Sequence, residues 1–221
     1  MSRALTARRA RPGAGFSLLE CAIVLAVAST MTVAGFHWVS TAHMSGASIA
    51  AQATADAARE ALYSFARTNH RLPCPDFTGN GLEGNCDDAG NRVGWLPVVT
   101  LNMSDRNLST DLLKRPRYAV YRAPGADLVK PTSALDVSPG ERLSFSLMAA
   151  ASAASDMGQP RVVRSADDCG SAPGNAAFVV QVPVDPGTWT PVQTASASCF
   201  LSSRPTASEM AAQLLAEVTR S

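Results

Sequence analysis

Histidine is nearly missing from this chain, with His37, His43 and His70 the only three in 221 residues. The first two lie in or beside the longest apolar segment, so a histidine-based triad has only His70 to draw on. No G-x-S-x-G elbow accompanies it. No two cysteines stand in C-x-x-C spacing, and with so few imidazoles this argues against a zinc site. Proline is absent between Pro12 and Pro73, so nothing there forces a helix to stop. Acid is equally sparse at this end: Glu20 is the only one in the 24 residues from Phe16 to Val39. The acidic pairs Asp87-Asp88 and Asp167-Asp168 sit beside cysteines in loop-like sequence and read as solvated acids. The expectation is a non-enzymatic protein with no cofactor and no resident metal.

What is present begins with an arginine-rich leader. Arg3, Arg8, Arg9 and Arg11 precede the apolar run, which places the leader in the cytoplasm and sends the rest across the membrane. The 24 residues of this segment exceed the roughly 20 that a helix needs to cross the hydrocarbon core. An acid inside such a segment costs about 2.5–3.5 kcal/mol on insertion scales, and intramembrane acids normally have a functional partner. Two plainer readings compete. A secretory signal peptide is suggested by Ala26-Val27-Ala28 and Ala51-Gln52-Ala53, but the apolar run outruns the usual h-region and carries Glu20 at its entrance. A simple single-span anchor leaves Glu20 without a purpose.

The run Gly15-Phe16-Ser17-Leu18-Leu19-Glu20 resembles the processing site of the type IV pilin-like proteins, the family of pilins and type II secretion pseudopilins. The resemblance implies that a prepilin peptidase cuts between Gly15 and Phe16 and methylates the new amino group of Phe16. It makes Glu20 the fifth mature residue, where the amine of a neighbouring subunit neutralises it in low dielectric and sets the stagger between subunits. Arg71-Leu72-Pro73-Cys74-Pro75-Asp76, then Cys86 and Gly94-Trp95-Leu96-Pro97, is similar to a subgroup of the same family. Many major pilins have a proline in the membrane helix, and its absence here points to a minor pilin or pseudopilin. The implied partners are the prepilin peptidase, other pilin or pseudopilin subunits, an inner-membrane assembly platform and the lipid bilayer. The implied location is the inner membrane with the globular part in the periplasm, then a pilus or pseudopilus. An adhesive, ligand-binding or DNA-binding module at a filament tip is the alternative.

The expected organisation is a leader over 1–15, a membrane helix over 16–39, its periplasmic continuation over 40–72, and an α+β domain over 73–221. Loss of the four leader arginines leaves 15 basic against 18 acidic groups, near −3, which gives no general support for nucleic-acid binding and leaves only a local patch open. Cys21 reads as a small apolar residue within the membrane segment. Cys74, Cys86, Cys169 and Cys199 in an oxidising compartment allow two bridges in three connectivities; Cys74–Cys86 with Cys169–Cys199 is favoured because each closes a local loop.

Ala55, Ala58, Leu62, Phe65 and Leu72 recur at helical spacing and form a stripe for packing on a domain, in a helix continuing to about Thr68 or Asn69. Residues 73–90 read as a loop. Asp76, Thr78, Asn80, Gly81 and Asp87 partly match a calcium-loop pattern, with a disulfide-stapled Asx-rich turn as the competing reading. Val93 to Leu101 and Tyr118 to Arg122 have strand-like content, and Ala176 to Val184 is the strongest strand, with Ser198 to Leu201 expected as its partner. Alanine content predicts a short helix over Leu143 to Met157. Thr206 and Glu209 fit a capping box opening a final helix with Met210, Leu214, Leu215 and Val218 on one side. Trp38 is expected at the membrane interface, and Trp95 and Trp189 as anchors in core or loop.

Overall fold

The structure, a computed structural model, describes residues 46–103, 111–131, 136–156, 158–165, 168–169, 174–184 and 199–220. The chain divides between Met44 and Ser45, and every described residue belongs to the second unit, Ser45–Ser221. Gly15, Phe16, Glu20, Cys21, Trp38 and Trp189 lie outside the described residues, as does the whole expected span 16–39. Among the described residues no helix is long and apolar enough to cross a membrane.

The described part is an α+β unit. Helix α1 (46–69) comes first, followed by strands β1 (Val93–Trp95) and β2 (Arg117–Val120), helix α2 (Pro139–Ser152), and strands β3 (Arg161–Val163) and β4 (Ala176–Gln181). Strands β5 (Cys199–Leu201) and β6 (Thr206–Met210) then lead into helix α3 (Ala211–Thr219). The main sheet is antiparallel throughout in the order β1-β2-β4-β6, and β3 and β5 form a separate parallel pair.

The core follows from how β4 is used. All six of its residues are buried, because both faces of the sheet are covered. On one face, Phe178 and Val180 join Tyr118 and Val120 against Ala58, Leu62 and Ala66 of α1, Leu143 and Leu147 of α2, and Leu214 of α3. On the other, Val179 and Ala119 meet Phe200 of β5, with Val162 packed beside them. A third, smaller cluster of Ala51, Ala55, Val182 and Ala207 joins the N-terminal half of α1 to the sheet.

The stripe expected on α1 is present at Ala55, Ala58 and Leu62, with Leu72 just past the helix end, all fully buried, whereas Phe65 is only partly covered and Ala66 fills the core position beside it. His70 ends the helix. Its positive φ of 53° is the left-handed conformation common at helix ends, and its N–H donates to Ala66 O at 2.9 Å.

Three sequence expectations are corrected. Residues 199–201 do not pair with β4; β5 runs parallel to β3, with Phe200 opposite Val162, while β4 lies between β2 and β6. Thr206 and Glu209 do not cap a helix but belong to β6, and α3 begins at Ala211 with Met210 at its N-cap and the Gln213 side chain accepting from Met210 N at 3.2 Å. The helix expected over 143–157 occupies 139–152. Ser138 and Glu141 form a reciprocal capping box around Pro139, which moves its start back by four residues.

Candidate functional site

The most elaborately built region is the loop between α1 and β1. A disulfide joins Cys74 to Cys86, Cα atoms 5.9 Å apart, and a second joins Cys169 to Cys199 at 6.0 Å, which is the connectivity favoured from spacing. Within the first loop Asp76 is 1% exposed, and four donors turn inward to it. Oδ1 accepts from Thr78 N at 2.9 Å, Thr78 Oγ1 at 3.1 Å and Gly79 N at 2.7 Å, while Oδ2 accepts from Gly81 N at 2.7 Å. Asp76 therefore shapes an Asx-type turn. Asp87, the last position of the calcium-like pattern, turns outward to Lys130, and that contact together with Asn85 holds its carboxyl below the usual aspartate range. The two acids of the pattern do not converge, and among the described residues no group of three His, Cys, Asp or Glu side chains is placed to hold a metal.

The same segment is sewn to the sheet. Asp76 and Trp95 exchange two backbone hydrogen bonds at 2.9 Å, and Gly94 allows that approach, since a Cβ there would lie 2.6 Å from Asp76 O. Buried Tyr118 donates its hydroxyl to Pro73 O at 3.1 Å. Trp95 stacks under the Arg117 guanidinium at 5.1 Å and donates Nε1–H to Leu112 O at 3.2 Å, the anchoring role expected of it.

Arg122 ties the loop to the rest of the unit. It is 1% exposed and pairs with Asp127, the closest contact being 2.7 Å from Nη2 to Oδ2. Nη1 donates to Asp88 O at 2.7 Å and Asn91 O at 3.3 Å, and Nη2 donates to Cys86 O at 2.9 Å. One guanidinium thus holds three carbonyls of the stapled loop and the carboxylate of the 122–130 turn. The Gln159 amide brackets the Arg122 backbone, accepting from its N at 2.9 Å and donating to its O at 2.7 Å.

A pocket of about 510 Å³ opens beside this node, with the Cys74–Cys86 bridge and Val129 on its lining. Two ion pairs border it: Arg71 with Glu83 at 2.7 Å, and Lys130 with Asp87. His70 faces Gly140 at the start of α2, and its Nδ1 is buried without a hydrogen-bond partner.

Helix α1 is the second candidate surface. Residues 46–50 are all exposed, Ile49 at 71%, and contact with the sheet begins only at Ala51. Farther along, Tyr63 donates to Glu209 of β6 and Arg67 pairs with Glu217 of α3 at 3.0 Å, so polar side chains one turn apart bind the chain's last two elements to α1. Burial, and then the Glu209 contact, pushes the Tyr63 hydroxyl well above the usual tyrosine range.

The sequence gives Arg122 no role beyond the end of a strand and gives Glu209 a different one, in a helix cap. Arg122 stood at the end of an expected strand, where a lone charge after Tyr118-Ala119-Val120-Tyr121 was the available sign of a buried ion pair. The spacing of Glu209 from Thr206 imitates a capping motif and hides its place in a strand. No family model, no curated protein and no solved structure matches the chain.

Proposed function

We propose that this chain is a non-enzymatic structural subunit of the type IV pilin-like class, a minor pilin or pseudopilin of a type IV pilus or type II secretion pseudopilus. The observation that carries the reading is Gly15-Phe16 followed by Glu20 at the mouth of a 24-residue apolar segment with an arginine-rich leader before it. A prepilin peptidase removes the leader and methylates Phe16. The apolar segment holds the subunit in the inner membrane with residues 73–221 in the periplasm, and Glu20 meets the new amino group of an adjoining subunit during assembly on the inner-membrane platform.

The form of the described unit supports this reading. An exposed helical start at residues 46–50 leads into a helix whose later turns are packed on an α+β head, an arrangement suited to presenting one end of α1 to neighbours. Two disulfides fit an oxidising periplasm. A tip module that binds a ligand is the second reading, and it draws on the pocket beside Cys74–Cys86.

The test is Glu20→Ala in a host that assembles the filament. The variant is expected to insert and to be cleaved normally but to be poorly incorporated, as measured by its ratio to other subunits in sheared filaments. Incorporation equal to the parent contradicts the role given to Glu20.

A further inference from the structure

Strand β6 lies at one border of the main sheet, where unpaired peptide groups are a template for another chain. Val182 N donates to Pro205 O at 3.0 Å, which turns Pro205 toward β4. With Val180 opposite Ala207 and Val179 opposite Ser208, alternation points the peptide groups of Thr206 and Ser208 away from the sheet. The strand itself, Thr206 to Met210, carries neither lysine nor proline, the residues that commonly discourage edge pairing.

Side chains from two helices meet this border instead. Gln52 of α1 accepts the Thr206 N–H at Oε1, 3.2 Å, and donates Nε2 to Thr206 O at 3.4 Å. That donor and acceptor pair is what a neighbouring strand would offer at the same position. Nε2 also reaches Asp56 Oδ1, one helical turn on, at 3.3 Å, which fixes the orientation of the amide. The small side chains Ala51, Ala55 and Ala207 let α1 come close enough for the contact. At the far end of the strand Gln213 Oε1 takes the Met210 N–H at 3.2 Å. Between them Ser208 is exposed.

We propose that the Gln52 side chain acts as a substitute strand that closes the β6 border to antiparallel pairing with β6 of a second copy of this chain. The opposite border is closed differently, by the Asp76–Trp95 exchange with Pro75 beyond it. Contact between copies is therefore left to side-chain surfaces, and on the function proposed above strand addition would be suppressed while subunits gather in the membrane.

The experiment compares full-length parent protein, Gln52→Ala and Gln52→Ala/Ser208→Pro in detergent, by light scattering on a sizing column over a range of concentrations. Ser208→Pro removes an outward N–H without touching the β4 ladder. Association that rises with concentration in Gln52→Ala and returns to the parent level in the double variant is expected. A single variant that behaves as the parent, or association that Ser208→Pro leaves unchanged, overturns the proposal. Should Gln52→Ala not fold, amide exchange in the parent decides: Thr206 is expected to exchange about tenfold more slowly than Ser208, the factor one net hydrogen bond gives. Equal rates at the two amides overturn the proposal.

Discussion

Removing the Arg122 guanidinium would strand three backbone carbonyls, of Cys86, Asp88 and Asn91, and leave the Asp127 carboxylate with only the Val129 and Lys130 N–H groups as donors. Breaking a buried pair by deleting one partner typically costs about 3–5 kcal/mol, and the two N–H donors that remain on Asp127 put this case at about the lower figure. Arg122→Ala is expected to lose that much in denaturant unfolding, and Arg122→Lys to recover little of it, since an ammonium cannot serve four acceptors in a planar fork. A loss below about 1 kcal/mol would mean that the loop is held by its disulfide alone.

The tyrosines give a second residue-level test. The chain has three, Tyr63, Tyr118 and Tyr121, and burial raises the pKa of each. A group whose folded pKa is raised contributes stability that is complete below its unfolded value, near 10, and is lost as pH rises from there toward the folded value. Ultraviolet titration should therefore show no tyrosine ionising at its ordinary midpoint while the head remains folded, with ionisation arriving together with loss of near-UV circular dichroism. A tyrosine that titrates normally in the folded protein contradicts its burial.

At the scale of elements, α2 depends on its start. Ser138 accepts from Glu141 N, while Glu141 Oε2 accepts from Ser138 N at 2.9 Å and Ser138 Oγ at 2.7 Å, contacts that hold the Glu141 carboxyl below the usual glutamate range. A depressed folded pKa means that the contribution is present at neutral pH and fades as pH falls below the ordinary glutamate value. Ser138→Ala is expected to cost about 1 kcal/mol at neutral pH, measured by denaturant unfolding, with a smaller difference from the parent in acid. A difference that does not shrink in acid would separate the Ser138 contribution from the Glu141 charge.

The elements also show what the sequence makes legible. The core stripe of α1, strands β2 and β4 and both disulfides are readable because they rest on local periodicity, β-branched content or short loop closure. The Ser138-Pro139-Gly140-Glu141 signal is equally local, but alanine content marks a helix interior and says nothing of where the helix starts. The pairing of β5 was a different matter. Its three residues have the same apolar character whichever strand they meet, and their parallel neighbour β3 lies far back in the chain. Thr206 to Met210 shows the competition between motifs: the alternation that buries Ala207 and Glu209 is a strand pattern, while the Thr206 to Glu209 spacing imitates a helix cap. Tertiary contacts decided it, with Gln52 taking Thr206 and Tyr63 taking Glu209.

For the whole molecule, the head and the N-terminal motif make separate contributions to the account. The head explains how the described residues between 46 and 220 hold together: helices on one face of an antiparallel sheet, a parallel pair on the other, and a stapled loop secured through Arg122. In the function proposed above, the motif at residues 15–20 is the part that acts, since proteolysis there would create the positive group that makes an acid tolerable in lipid. N-terminal mass spectrometry of the protein after co-expression with a prepilin peptidase tests that claim most directly. A mature chain beginning at N-methylated Phe16 is predicted; an intact leader, or a first residue at any other position, contradicts the account.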